Sequence, residues 1–193
     1  VAYPVPMAPA AVPNLARGAQ IFADRCALCH GLQGRGDGVA GAKLDPPPIA
    51  FTDIERARQR SLFSLYEVVS QGLADTSMRS FQKELSDDDR WAVAVYASTF
   101  SATDAESGMG EDLWRDDSAL RARFPNLETL VRTIEAGLAV DVGTDKARAV
   151  MAYLRSHPEV IGQNSADSLT LARSKLAASL KAYQAGDVRG AAT

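Results

Sequence analysis

A chain of 193 residues, 46% hydrophobic and 23% charged, is long enough for one large domain or two small ones and apolar enough to bury a core. Its formal net charge of -3 argues against a nucleic-acid binder and supplies no basic stripe for an anionic membrane, while leaving an acidic surface suited to a basic partner. No apolar run approaches the roughly 18 residues that span a bilayer, and the two cysteines both sit in one short motif, so no disulfide remains to report the compartment.

Residues 1–13 carry Pro4, Pro6, Pro9 and Pro13 and read as an extended arm that cannot start a helix. Asn14 then offers an N-cap, and Leu15, Gly18, Ile21, Phe22 and Arg25 follow at helical spacing. Gly18 weakens such a helix unless another backbone comes close, so it predicts a helix crossing. This helix runs into Cys26-Ala27-Leu28-Cys29-His30, whose spacing is that of covalent haem attachment: the two thiols add to the haem vinyl groups and the imidazole ligates iron from one face. A thioredoxin-like pair needs a βαβ context, and a zinc site needs two further ligands, whereas the only other histidine is the distant His157.

Gly31 and the stretch Gly34-Arg35-Gly36-Asp37-Gly38 make a turn-rich loop that is no phosphate cradle, since no Lys-Ser or Lys-Thr follows it. Pro46-Pro47-Pro48 forces a stiff extended segment. Leu62, Leu65, Tyr66, Val69 and Leu73 predict an amphipathic helix stopping at Gly72, followed by an irregular loop holding Met78. Ser86 with Asp89 resembles a capping box, opening a helix that contains Trp91, Val93, Val95 and Tyr96. The acidic run Asp87-Asp88-Asp89 reads as a dipole-favoured helix start rather than a metal site.

Residues 14–100 resemble class I cytochromes c, on Gly18-x-x-x-Phe22, Cys26-x-x-Cys29-His30, the Gly34–Gly38 loop, Pro46–Pro48, Met78 with Phe81, and Trp91–Tyr96. The resemblance implies one covalently attached haem c, first and last helices crossing at the glycine and aromatic positions, and a proline-region carbonyl that accepts the Nδ1 hydrogen of His30. It also implies His30 and Met78 as the axial iron ligands. Met7, Met109 and Met151 lie outside the matching place, and Arg79 stands where proline is frequent in the family.

The second half repeats the skeleton. Gly110–Trp114 echoes Gly18–Phe22, Leu130–Leu138 echoes Leu65–Leu73, and Ala149–Tyr153 echoes Ala92–Tyr96, with the haem-attachment and Met78 intervals shortened. The expected fold is therefore all-α: an arm over residues 1–13, a class I cytochrome c domain over 14–100, a haem-free cytochrome-like unit over 101–163 centred on Trp114, Phe124 and Met151, and a helix over 164–193. An ordinary helical extension is the alternative for the third of these. His157-Pro158 reads as a helix terminus.

Leu176–Ala192 resembles the start of the periplasmic helical region in bacterial high-affinity iron permeases that carry an amino-terminal cytochrome c domain, although the permease signature Arg-Glu-x-x-Glu is absent. That resemblance implies the soluble head of a membrane protein, with a membrane-embedded iron permease, ferrous iron or a ferroxidase component, and periplasmic electron-transfer proteins as partners. Haem of the c type is attached outside the cytoplasmic membrane, and the chain begins at Val1 with neither initiator methionine nor signal core, so the periplasm is the expected location, tethered to the inner membrane. With both axial positions closed, outer-sphere electron transfer rather than enzymatic turnover is the expected function. Two readings stand beside it: a haem enzyme or gas sensor with a labile Met78, and a docking module in which the haem is a bystander.

Overall fold

The structure, a computed structural model, describes residues 7–161 together with 176, 177, 179 and 180. The described residues form helices and loops with no strand, as the composition and spacing predict. In chain order the helices are α1 (Leu15–Ile21), a π-helical turn (Phe22–Cys26), α2 (Ala27–His30), a 3₁₀ turn (Gly41–Lys43), α3 (Ile54–Ala57), α4 (Leu62–Gln71) and α5 (Asp87–Thr99). The second half adds α6 (Asp104–Asp116), α7 (Ser118–Ala122), α8 (Leu127–Arg132), α9 (Glu135–Val142) and α10 (Thr144–Ser156).

The starts of these helices are written locally. Asn14, Asp53, Ser61, Ser86, Asp117 and Asn126 each present a side-chain oxygen to an orphan backbone N–H of the first turn. Thr103 and Glu106 exchange such bonds reciprocally, a complete capping box. At Ser86 only the serine half of the box forms. Asp89 instead pairs with Arg17 of α1 at 2.8 Å, and Asp87 with Arg90 and the Tyr66 hydroxyl, so the acidic run is spent on helix start and ion pairs.

α5 is the central element. Its sequence from Arg90 to Ser98 is buried on nearly every side, because it separates two apolar clusters. One face, Val93 and Ala97, packs with Ile21 and Phe22 of α1. The other, Trp91, Ala94 and Val95, joins Leu62 and Tyr66 of α4 to Trp114, Phe124, Leu130, Met151 and Leu154 of the second half. Tyr66 lies flat on Trp91, ring centroids 4.0 Å apart and planes 4° off parallel. The two halves thus share one core.

Gly18 meets α5 where a crossing was expected: a Cβ there would fall 2.3 Å from the Ala92 carbonyl oxygen and 2.9 Å from the Tyr96 Cβ. Gly110 meets α10 in the same way, 2.0 Å from the Ala149 oxygen and 2.7 Å from the Tyr153 Cβ. The two glycines therefore seat equivalent crossings, each against an alanine carbonyl and a tyrosine four residues further on. Trp114, Phe124 and Met151 are buried inside the second half.

The middle landmark of the repeat needs correction. Leu130–Leu138 is not one helix like Leu65–Leu73: α8 ends at Arg132 and α9 starts at Glu135, because the Ala136 amide bonds the Arg58 carbonyl of the first half at 2.9 Å instead of continuing a helical ladder. Gly137 lies inside α9 with open space around it, and the counterpart of the helix-ending Gly72 (φ 76°) is Gly143 (φ 87°). The offset there is 71 (143 minus 72) against 57 at the tyrosines (153 minus 96), so 14 positions, the length of the whole Met78 loop, are missing between α9 and α10.

His157 caps α10, its Nδ1 3.3 Å from the Tyr153 carbonyl, the terminus role expected of it. From the arm, Ala8 packs against the shared core and the Met7 sulfur lies 3.5 Å from the Arg132 guanidinium. The expected helix over 164–193, except for the helical residues 176, 177, 179 and 180, lies outside the described residues.

Two glycines two residues apart on α6 test the crossing. Gly110→Ala should destabilise the protein by about 1–3 kcal/mol, as inserted methyls do in a packed contact. Gly108→Ala, with nothing within 4 Å of the new methyl, should be neutral or stabilise by about 0.5–1 kcal/mol through helix propensity. Urea unfolding of the two variants reads the contrast.

Candidate haem-attachment site

The crossing of α1 with α5 fixes the course of the chain into the cysteine motif. Past the crossing the helix widens: the Ala27 amide reaches back five residues to the Phe22 carbonyl, so Phe22–Cys26 is a π turn, a device found mostly at functional sites. Phe22 is buried among Phe51, Tyr96 and Phe100, with ring centroids 6.0, 5.7 and 4.9 Å away. Cys26, Cys29 and His30 then project from one short helical stretch, both thiols unpaired and half-buried. Burial, aided by the neighbouring Cys29, pushes the Cys26 thiol up to about 11, keeping it in the S–H form at neutral pH.

The glycine loop packs directly on the motif's backbone. Gly38 and Gly41 have no unusual φ, yet a Cβ would fall 2.4 Å from the Leu28 oxygen at Gly38 and 2.2 Å from the Cys29 oxygen at Gly41. Gly38 N–H donates to the Cys29 carbonyl (3.2 Å) and Gly36 N–H to the His30 carbonyl (2.8 Å), satisfying the last carbonyls of α2. Beyond this loop the proline segment delivers Ile49, whose carbonyl oxygen lies 3.3 Å from His30 Nδ1. A carbonyl only accepts, so the proton sits on Nδ1 and the Nε2 lone pair is left free for a metal. Burial holds the imidazole below its ordinary range, the Ile49 bond opposing, so it is neutral when a metal needs it. Phe51 packs against the ring at 4.8 Å. The expected proline-region acceptor is thus Ile49, one residue past the triplet.

Met78 does not come from the same stretch. It is half-buried in the loop after α4, and that loop is tied at several points. Leu73 N–H donates to the Met78 carbonyl (2.9 Å), Met78 N–H to Thr76 Oγ1 (3.1 Å) and Phe81 N–H to the Val69 carbonyl (3.0 Å). Arg79, in the place where the family often has proline, stacks over Phe81 at 4.4 Å and forks onto both carboxylate oxygens of Glu84. Glu84 also faces Arg25 on the motif's own helix at 3.9 Å, and Arg79 holds its carboxyl below the usual range. This three-residue bridge between the methionine loop and the cysteine motif, invisible to spacing rules, supplies the anchoring that proline would otherwise give.

Residues 13–96 match the family described as cytochrome C oxidase, cbb3-type, subunit III. Over these residues the chain is similar to class I-like c-type cytochrome domains. The match covers less than half of the 193 residues and stops within α5. No curated protein matches the chain. Among solved structures, a chain in the reducing HAO-like protein complex of Kuenenia stuttgartiensis is 15% identical, the alignment covering 77% of this chain and 98% of that one at a TM-score of 0.40, a likeness too loose to carry an argument.

The residues present fit the haem c that such a domain implies. The donor set is two unpaired thiols one helical turn apart and a neutral imidazole with a free Nε2, and Leu28, Leu32 and Leu73 stand exposed on the motif and the methionine loop. Cys26 and Cys29 would hold it covalently and His30 would ligate its iron. Among the described residues no group of three or more His, Cys, Asp and Glu side chains is by itself arranged to hold a metal ion.

The glycine contacts give the site's most direct mutational test. Gly41→Ala should cost about 1–3 kcal/mol by pushing on the Cys29 carbonyl and should lower the yield of haem-bearing protein, read as the ratio of Soret to 280 nm absorbance. Ala42→Gly, next to it on the exposed side, should leave that ratio unchanged.

Proposed function

We propose that this chain carries single electrons through one haem c bound at Cys26 and Cys29, with His30 and Met78 closing both faces of the iron. The observation that carries the reading is the His30–Ile49 contact, which orients the imidazole, fixes its tautomer and raises its donor strength. Bound haem iron supplies a reversible one-electron couple. The protein's part is to hold the ligands still and keep them in place: Cys26 and Cys29 fix the porphyrin edge, Ile49 and Phe51 fix His30, and the Arg79–Glu84–Arg25 bridge holds the Met78 loop against the motif helix. A sulfur ligand favours the reduced state and so a higher potential, suiting acceptance of electrons from a modest donor.

In this proposal residues 101–163 are a haem-free cytochrome-like unit. The equivalence of the Gly18 and Gly110 crossings supports it, as does the direct passage from α9 to α10 through Gly143 where the first copy has its methionine loop. We further propose a periplasmic setting, tethered to the inner membrane through an iron permease, with electrons from ferrous iron or a ferroxidase component passed to periplasmic carriers. The support for that setting is the tail resemblance at Leu176–Ala192 and the place where c-type haem is attached.

Optical spectroscopy of the oxidised protein tests the ligand assignment. A weak methionine-to-iron band at the red end of the spectrum should be present, and Met78→Ala should abolish it and lower the reduction potential. A band that survives in Met78→Ala contradicts the assignment, and an open coordination position in the unmodified protein favours ligand-binding chemistry instead. Glu84→Gln, which frees Arg79 and Arg25, should leave the band in place but let added imidazole displace Met78 at severalfold lower concentration, read by titration of the Soret shift.

A further inference from the structure

Among the described residues two arginines are buried, Arg155 at 3% exposure and Arg90 at 4%. Arg155, in the last turn of α10, donates from Nη2 to the Arg60 carbonyl at 3.2 Å across the junction between the halves. Arg90, near the start of α5, is engaged more fully. Its Nη1 donates to two backbone carbonyls, those of Leu85 at 2.7 Å and Gln82 at 3.1 Å. Its Nη2 donates to the Tyr66 hydroxyl at 3.3 Å and to the Asp87 carboxylate, and the centre of the guanidinium lies 5.6 Å from that of the Tyr66 ring. One fixed charge, with the half-exposed Asp87 as its counter-ion, thus joins α4, α5 and the segment that leads into α5.

That segment is the exit of the loop that carries Met78 from α4 to α5. The middle of the loop is pinned to α4, Phe81 N–H donating to the Val69 carbonyl at 3.0 Å and the Ser80 hydroxyl to the Ser70 carbonyl at 2.5 Å. Residues 81–85 then close a turn of their own, with the Glu84 and Leu85 amides on the Phe81 carbonyl at 3.0 and 2.9 Å. Two side-chain ties hold this turn to the helices. The Glu84–Arg25 pair stands in solvent, where such contacts contribute little and salt screens them. The Arg90 bonds lie in a dry site, where hydrogen bonds from a charged donor are strong and their loss leaves carbonyls without a partner. Arg90 itself has a firm footing, because the Tyr66 ring it reaches is stacked on Trp91 inside the core shared by the two halves.

We propose that Arg90 is a positioning residue for the methionine ligand: it pins the exit of the loop to α4 and α5 and so sets how readily an outside ligand displaces Met78. The inference rests on the reading that Met78 closes one face of the iron. For the sulfur to swing away, the backbone around it has to move. With residues 80 and 81 fastened to α4 and the carbonyls of Gln82 and Leu85 fastened to Arg90, that movement requires breaking bonds made by a buried charge.

Imidazole titrations of the oxidised holoprotein, followed by loss of the methionine-to-iron band, decide it, with Arg90→Met, Arg90→Lys and Gly110→Ala compared to the unmodified chain. Methionine keeps the helix propensity of arginine without its N–H groups, and lysine keeps the charge without the fork. Gly110→Ala disturbs the second half away from the loop and so reads the effect of lost stability alone. Arg90→Met should lower the imidazole concentration for half-displacement by about tenfold, as loss of charged hydrogen bonds implies. Arg90→Lys should lower it by less, and Gly110→Ala should leave it unchanged. The Glu84 and Leu85 amides should also exchange with deuterium faster, relative to those of α5, in Arg90→Met and not in Gly110→Ala. An Arg90→Met titration that matches the unmodified chain, or a shift equal to that of Gly110→Ala, overturns the inference and leaves Met78 as the ligand. If Arg90→Met does not mature, Arg90→Lys is read in its place, and the unmodified value there overturns the inference. A methionine band absent from the unmodified chain overturns the Met78 reading and this inference with it.

Discussion

Where α1 crosses α5 there is no room for a methyl group: Gly18 lies against the Ala92 carbonyl and the Tyr96 side chain. That contact sets the spacing of the two helices, and the spacing brings Phe22 under Tyr96 and Phe100. One turn later the chain widens into a π turn and presents Cys26, Cys29 and His30 from a single short helix. The site is therefore not an appendage on the fold. It is the continuation of a helix whose position is fixed by backbone-to-backbone packing, the kind of contact that tolerates least displacement.

The same packing solution occurs twice in one chain. In the second half Gly110, Ala149 and Tyr153 repeat it around α10, but Gly143 joins α9 to α10 directly and no cysteine motif follows α6. Side chains fill the centre of this half, with Trp114, Phe124 and Met151 buried there. The outer face of α5, with Trp91 and Val95, is covered by this second half, so from Arg90 to Ser98 the helix is buried between two apolar clusters. Burial on both faces explains why its sequence, Trp-Ala-Val-Ala-Val-Tyr-Ala, shows little helical periodicity.

What was legible in the sequence is what is encoded locally. Asn14, Ser61 and Ser86 announce helix starts, Gly72 announces a stop, and Cys26-x-x-Cys29-His30 marks where the candidate site lies. Even the crossing at Gly18 was readable, from a glycine inside a helix with Phe22 one turn further on. The split between α8 and α9 was not, since the spacing of Leu130, Ile134 and Leu138 is helical and only the bond from Ala136 to Arg58 breaks it. The Arg79–Glu84–Arg25 bridge and the burial of Arg155 were hidden for the same reason: each depends on segments far apart in sequence meeting in the fold. Arginine in the last turn of α10 reads in isolation as a surface residue favoured by the helix dipole.

Electrostatics and packing at the site point the same way. His30 is neutral with its proton committed to Ile49, Cys26 is held as a thiol by burial, no carboxylate pairs with the imidazole to make it a general base, and no cation lowers the Cys26 thiol toward a reactive thiolate. These are the states needed to receive a porphyrin and its iron. Intact-mass and peptide mass spectrometry of the chain matured in cells that assemble c-type cytochromes tests this most directly. The account predicts a protein heavier than its polypeptide by one haem, with the added mass on the peptide that contains Cys26 and Cys29. A mature protein at the bare polypeptide mass, or a haem carried by any other peptide, contradicts it.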